Sequence, residues 1–259
     1  MLQISTLVLE VTRKCNLRCV HCLRGNPQRV TMTPEILNQT LSHVEEISSI
    51  TFTGGEPSLA SEVIDQFVDI CLWNKIRYNS FYIVTNGKTR NGFQKFMAAV
   101  DRLYSYADEP GVCCLTLSRD QYHRWVAHEI NLNKFTQAPD PDEGYYEPER
   151  PYLSLGSRIH NIDRPLAEGR AIETQVGISA PEQQGPWVID EEDNGRITFP
   201  DGDNDIVYVA ANGNVVSNCN MSFRRMDHES KGNVLTQSLP DIIRGYSKPY
   251  VEQERKIAV

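Results

Sequence analysis

Strand-like and helix-like runs alternate through the first half of this 259-residue chain, and that alternation narrows the folds open to it. STLVLEVT (5–12), SITFT (49–53), SFYIVT (80–85) and VCCLTLS (112–118) are rich in β-branched and aromatic residues and read as strands. Between the first two, Thr33-Pro34-Glu35 opens a helix, with threonine as the cap and proline in the first turn. Its pattern predicts a run through ILNQTLSHVEEI (36–47). The segment 58–75 carries Val63, Ile64, Phe67, Val68, Cys71 and Leu72 at helical spacing, and GFQKFMAAVDRLYSY (92–106) is amphipathic. Strands joined by helices pair in parallel through right-handed crossovers, so the class is α/β. YLSLG (152–156) and ETQVGIS (173–179) are candidates for a fifth and a sixth strand. The expected architecture is a partial (β/α)6 TIM-like barrel, open on one side. A closed eight-unit barrel takes about 250 residues and would leave no room for the tail.

Composition narrows the function. Charged residues make up 23% of the chain, hydrophobic residues 40%, and the net charge is -8. An acidic balance speaks against duplex nucleic acid as a partner. No stretch of apolar residues is long enough to span a membrane, and the start, MLQISTLVLEVTRK, turns charged too soon for a signal peptide. The expected location is cytoplasmic. There, seven cysteines point to metal binding before disulfides. Cys71, Cys113 and Cys114 lie in helix or strand patterns and read as small core residues, the last two facing opposite ways along a strand.

Cys15, Cys19 and Cys22 stand apart as C-x-x-x-C-x-x-C within VTRKCNLRCVHCLR. Their neighbours Lys14, Asn16, Arg18 and Arg24 are polar, unlike a buried apolar run. Thiolates suit iron–sulfur clusters and zinc. A structural zinc site wants a fourth protein ligand, and there is no second C-x-x-C knuckle to give it. Three thiolates on a four-iron cubane would instead leave one iron open. Cysteines that merely pack are the bland alternative.

This spacing resembles the radical S-adenosylmethionine (radical SAM) superfamily, and further motifs fall where that family has them. Gly54-Gly55-Glu56-Pro57 follows the second strand, Thr85-Asn86-Gly87 closes the third and Ser118 closes the fourth. His21 stands just before the third cysteine, where that family often has an aromatic residue or histidine. The resemblance implies that Cys15, Cys19 and Cys22 hold a [4Fe–4S] cluster. It implies that S-adenosylmethionine binds its open iron and is cleaved to a 5′-deoxyadenosyl radical, with an external electron donor such as flavodoxin or ferredoxin. It implies cofactor contacts from His21, Gly54, Gly55, Glu56, Asn86 and Ser118. Glu56 would meet the cationic amino group, and the glycines would let backbone approach it closely. Its alternative role is that of a carboxylate at a helix N-terminus. At the substrate end, Asp120 and His123 could move a proton. Tyr145, Tyr146 and Arg158 are weaker candidates, and the Pro- and acid-rich stretch 137–151 is a solvated connector or a flap over the site.

The texture changes near residue 182, so we expect a core over 1–182 and a small α+β, hairpin-containing appendage over 183–259. IVYVAANGNVVSN (206–218) carries a hairpin signal around Asn212-Gly213. With Cys219, Gly232-Asn233-Val234 and Ser238-Leu239 it resembles the SPASM or twitch domains of radical SAM enzymes. So does RPLAEGRA (164–171), which ends in a "GRA" common in the peptide-modifying members. Those domains normally bind auxiliary clusters through several cysteines, whereas this tail has Cys219 alone. It reads as a degenerate version without a cluster, in which Cys219 packs or faces the site. The expected substrate is a peptide or protein side chain. The alternatives are a small molecule such as a nucleoside, sugar or amino acid, and a non-catalytic iron–sulfur sensor or scaffold. The GGEP segment argues against the last, because a mere cluster holder needs no methionine site.

Overall fold

The structure is a computed structural model that describes residues 1–88, 92–118, 122–123, 150–155, 166–177, 183–200 and 205–249. Its centre is a parallel sheet. Strands β1 (Leu2–Thr12), β2 (Val44–Gly54), β3 (Arg77–Thr85), β4 (Cys114–Leu117) and β5 (Leu153–Leu155) lie side by side in chain order. Helices α1 (Pro34–Leu41), α2 (Ser61–Asn74) and α3 (Phe93–Ser105) make the first crossovers. This is the mixed α/β, largely parallel arrangement expected of a partial barrel.

The sequence pattern went astray in three places. Helix α1 stops at Leu41, capped at its start by Thr33 Oγ1, which accepts from the Ile36 amide at 3.3 Å. Residues 44–47 are not helical; they begin β2, with Val44 opposite Leu2 and Ile47 opposite Ile4. Parallel pairing with β1 there outweighs a weak local helix preference. Leu72 does not join the core but stands 45% exposed, one step around α2 from buried Cys71. Cys113 is buried as expected, while Cys114 is half-buried, its Sγ 3.2 Å from Thr116 Oγ1.

The third difference bears on topology. Among the described residues of 173–179 there is no strand: α4 (Arg170–Glu173) is one helical turn, and Thr174 to Gly177 continue irregularly. The further parallel pairing with β1 comes from later in the chain. After β6 (Trp187–Glu191) and β7 (Ile197–Thr198), β8 (Ile206–Val209) pairs in parallel with the open edge of β1, Leu7 opposite Val207. The expected hairpin does form: β8 turns through Gly213, at φ +87°, into antiparallel β9 (Asn214–Val216), and β10 (Gly232–Asn233) follows. Two short helices, α5 (Phe223–His228) and α6 (Leu239–Gly245), and β11 (Ser247–Pro249) complete the described chain.

Alternation along β1 and β8 builds two cores. Leu7, Leu9 and Val11 face the helices together with Val207 and Val209. On the opposite face Val8 packs with Tyr208, Ala210, Val216, Met221, Phe223 and Met226. The tail therefore extends the barrel sheet and covers the inner face of β1. No helix among the described residues is long and apolar enough to cross a membrane.

Candidate active site

A cavity of about 330 Å³ opens at the C-terminal ends of the parallel strands, the end where α/β barrels place their chemistry. The loop after β1 brings Cys15, Cys19 and Cys22 to its wall. Gly54, Gly55 and Glu56 arrive from the end of β2, Asn86 from β3 and Ser118 from the end of β4. His21 and His123 line it as well. Residues far apart in sequence but marked by it thus share one concavity. Asp120, Tyr145, Tyr146, Arg158 and the stretch 137–149 lie outside the described residues.

The glycine pair has a reason that motif reading did not supply. Gly55 N–H donates to Thr12 O at 2.7 Å and Glu56 N–H to Lys14 O at 2.9 Å, so the end of β2 clasps the root of the cysteine loop. A β-carbon on Gly54, whose φ is +148°, would stand 2.0 Å from Thr12 O. One on Gly55 would stand 2.2 Å from Lys14 O. Only glycine lets the two backbones approach this closely.

Glu56 is 2% exposed and anchored on three sides. Its Oε1 accepts from the Ser58 amide at 3.2 Å and from Thr85 Oγ1 at 2.6 Å, and its Oε2 accepts from the Asn86 amide at 2.9 Å. Burial pushes this carboxyl up from its ordinary range, and the bonds from Ser58, Thr85 and Asn86 pull against that. It also caps the 3-10 turn Pro57–Ala60, the alternative role expected of it. A carboxylate offers about four lone-pair positions, so one remains for a cationic ligand. Asn86 is held too: Oδ1 accepts from the Lys88 amide at 2.9 Å and Nδ2 donates to Asn16 Oδ1 at 3.0 Å. Ser118 is fixed through its N–H, which donates to Thr85 O at 2.8 Å.

The histidines stand against the cysteine loop. His21 stacks on Tyr122 with ring centroids 4.1 Å apart and meets the edge of His123 at 5.5 Å. His123, largely buried, brings Nε2 to 3.5 Å from Cys19 Sγ. Cys219 is not on the cavity wall; it packs against the Tyr208–Phe223–Met226 cluster with Sγ 3.8 Å from Asn220 Oδ1.

Several residues around the site carried no sequence signal. Arg13, 1% exposed, bonds Glu10 at 2.6 Å, Gln28 at 3.0 Å and both oxygens of Asp227 at 2.8 Å each. It lies 4.9 Å over the Phe223 ring. Glu10, fully buried, also accepts from Tyr208 Oη at 2.7 Å and the Ala211 amide at 3.1 Å. A polar bolt thus runs from β1 into the tail. Arg24 donates to Met221 O at 2.8 Å and lies 5.2 Å over the Tyr208 ring. The Gly169-Arg170-Ala171 segment, noticed only as a motif, braces the cysteine loop: the Arg170 amide donates to Cys22 O at 2.9 Å, and its guanidinium to Cys19 O. A single buried Arg, Glu or Thr has no distinctive spacing, so only Thr85, beside Asn86-Gly87, could have been suspected.

The donor set fits a cluster. Three thiols, the soft ligands such a cluster takes, line the same cavity. A cubane takes each thiolate at a different iron. Burial pushes the Cys15 thiol up to about 11, so near neutral pH it keeps its proton until a metal takes its place.

Comparisons agree. Residues 9–123 match the model of the Radical SAM superfamily. The chain is 31% identical over 86 residues to the uncharacterized protein MJ0907 of Methanocaldococcus jannaschii, covering 32% of this chain and 30% of that one. It is 31% identical over 125 residues to molybdenum cofactor biosynthesis protein 1 of Homo sapiens, covering 46% and 18%. Against the probable GTP 3′,8-cyclase of Pyrococcus abyssi it is 24% identical over 131 residues, covering 49% and 40%. The chain thus spans less than half the length of these curated relatives. Among solved structures, Streptococcus suis SuiB bound to precursor peptide SuiA gives a TM-score of 0.44 at 13% identity, covering 95% of this chain and 65% of that one. Native anSMEcpe with bound AdoMet and Cp18Cys peptide gives 0.42 at 12%, covering 95% and 82%. That family uses a [4Fe–4S] cluster and S-adenosylmethionine, and residues 9–123 of this chain, whose motif residues meet at the strand ends, are similar to it.

Proposed function

We propose that this chain cleaves S-adenosylmethionine reductively and abstracts a hydrogen atom from a substrate, a peptide or protein side chain. The observation that carries the reading is the single cavity shared by the cysteine triplet, the clasped glycine pair and buried Glu56. When bound, the cluster and S-adenosylmethionine supply the electron transfer and the 5′-deoxyadenosyl radical. Cys15, Cys19 and Cys22 would hold the cluster. Glu56 would receive the methionyl ammonium on its remaining lone pair, a charge-assisted bond worth about 1.5–3 kcal/mol. The bonds from Thr85 and the Asn86 amide fix that carboxylate, so little ordering remains on binding. Asn86 and Ser118 present polar groups suited to the ribose or carboxylate, and His21 a ring suited to the adenine. His123, beside Cys19, orients the loop, and no proton relay through Asp120 is needed for this reading.

The tail favours a peptide. Its hairpin and α5 pack on the inner face of β1, and Phe223 forms part of the cavity wall, as a twitch-like cap would. We read the tail as a version without an auxiliary cluster, because Cys219 is its one cysteine and packs against the apolar cluster. A small-molecule substrate is the second reading; it is favoured by the likeness of the barrel half to the probable GTP 3′,8-cyclase. A reduced flavodoxin or ferredoxin is the proposed electron donor.

The test is anaerobic reconstitution with iron and sulfide, followed by S-adenosylmethionine and dithionite. Release of 5′-deoxyadenosine by the wild-type chain, and none by Cys19→Ala, is expected. An intact cluster with no release overturns the enzymatic reading. Transfer of deuterium into 5′-deoxyadenosine from a labelled peptide encoded beside this chain, but not from labelled nucleotides, separates the two substrates.

A further inference from the structure

Arg170 poses a problem of charge. It is 7% exposed and lines the cavity that holds the three thiols. Its Nη2 donates to Cys19 O, while its buried Nε has no hydrogen-bond partner. Among the described residues it forms no ion pair: the adjacent Glu168 is taken by Arg225 at 2.6 Å. The other two cavity arginines differ. Arg13 is paired with Glu10 and Asp227, and Arg24 is only half-buried and lies against the Tyr208 ring. A guanidinium cannot shed its charge, and burying one without an anion is costly.

The backbone around Arg170 leaves it little freedom. Gly169, at φ +51°, lies so close that a β-carbon there would stand 2.2 Å from Leu23 O and 2.5 Å from Gly25 N. The Arg170 amide donates to Cys22 O at 2.9 Å, and Thr174 Oγ1 donates to Val20 O at 2.7 Å. Three contacts to successive parts of the cysteine loop hold the guanidinium beside the thiols. Glu56 is the one acid on the described wall, and its bonds go to Ser58, Thr85 and Asn86 and not to Arg170, which leaves its open lone pair to a ligand.

We propose that Arg170 is the counter-charge of the iron–sulfur cluster, its unpaired Nε–H directed at the thiolate or sulfide ligands, and that it raises the cluster's reduction potential. This rests on the cluster-binding reading above. A four-iron cubane with three thiolates is an anion, and one-electron reduction by an external donor adds one negative charge. A fixed cation favours the reduced form more than the oxidised one, and the low dielectric of the site enlarges the difference.

The experiment is an EPR-monitored redox titration of the full reconstituted chain without S-adenosylmethionine, with iron and sulfide quantified first. Wild-type protein that holds no iron would defeat the cluster reading itself, independently of Arg170. With the cluster in place, Arg170→Gln should shift the equilibrium about tenfold toward the oxidised form, a fall of about 59 mV for a one-electron couple. Arg170→Lys, which keeps the charge, should stay near wild type. An unchanged potential in a fully loaded Arg170→Gln overturns the proposal, as does a fall in Arg170→Lys equal to that in the glutamine variant. Should Arg170→Gln not load iron, a loaded Arg170→Lys with wild-type potential supports the counter-charge. Failure of both to load would make Arg170 a loop brace and overturn it.

Discussion

Replacing Asp227 with alanine should loosen the tail from the barrel, and the size of the effect follows from the bolt it completes. Asp227 takes both terminal nitrogens of Arg13 at 2.8 Å, and Arg13 is 1% exposed. Removing one partner of a fully buried pair costs about 3–5 kcal/mol, because a buried charge is left without compensation. Two features reduce that here. The Asp227 side chain is 40% exposed, and water already screens it. Arg13 also keeps Glu10 at 2.6 Å and Gln28 at 3.0 Å. Against this, Asn212 and Asn214 lose the carboxylate they donate to, at 2.8 and 3.3 Å. The net expectation is about 2 kcal/mol, or a fall in Tm of about 4–8 °C for a domain of this size. Scanning calorimetry of the metal-free chain under nitrogen at pH 7 measures it, and Asp227→Asn, which keeps an acceptor, should lose less. A change below about 0.5 kcal/mol for the alanine variant would refute the reasoning, since it is what an ordinary surface substitution gives. The pH dependence has a definite sign. Burial alone would raise the Asp227 carboxyl, but the hydrogen bonds and charge of Arg13 outweigh it and hold it below its ordinary 3.8. A depressed acid contributes stability that is full above its unfolded value and disappears as pH falls through the folded one. The wild-type and Asp227→Ala Tm values should therefore converge as pH drops below about 4 and stay apart above it.

Two other substitutions probe the site more directly. Gly54→Ala places a β-carbon 2.0 Å from Thr12 O, against backbone that cannot yield, so the clasp on the cysteine loop should open. Iron uptake should fall and the chain lose about 2 kcal/mol or more, a strained-backbone cost measurable by denaturant titration; normal iron and stability would show that the clasp is dispensable. Cys219→Ala should leave iron per chain unchanged, because its thiol packs with Tyr208, Phe223 and Met226 away from the cavity wall, and lost iron would mean that the tail holds metal after all.

Much of this molecule was legible in its residue order, for identifiable reasons. Strand–helix alternation is a local property, and it placed the first four strands and the crossover helices in order, missing only where α1 ends and β2 begins. Cysteine spacing and the GGEP and TNG segments are short-range patterns too, so the cavity's Cys15, Cys19, Cys22, Glu56 and Asn86 could be named before any coordinate was known. The misreadings arose where pairing partners lay elsewhere. Residues 44–47 look helical in isolation and become strand because β1 offers them a ladder. The further parallel pairing with β1 came from Ile197–Thr198 and Ile206–Val209 instead of from 173–179, because the open edge of β1 belongs to three dimensions. So do the Glu10–Arg13–Asp227 bolt, the backbone clasp that demands Gly54 and Gly55, and the buried guanidinium of Arg170 beside the thiols. Short-range spacing determines which chemistry a chain can carry. Which charges end up buried together, and what then balances them, is decided only when distant segments exclude water from one another.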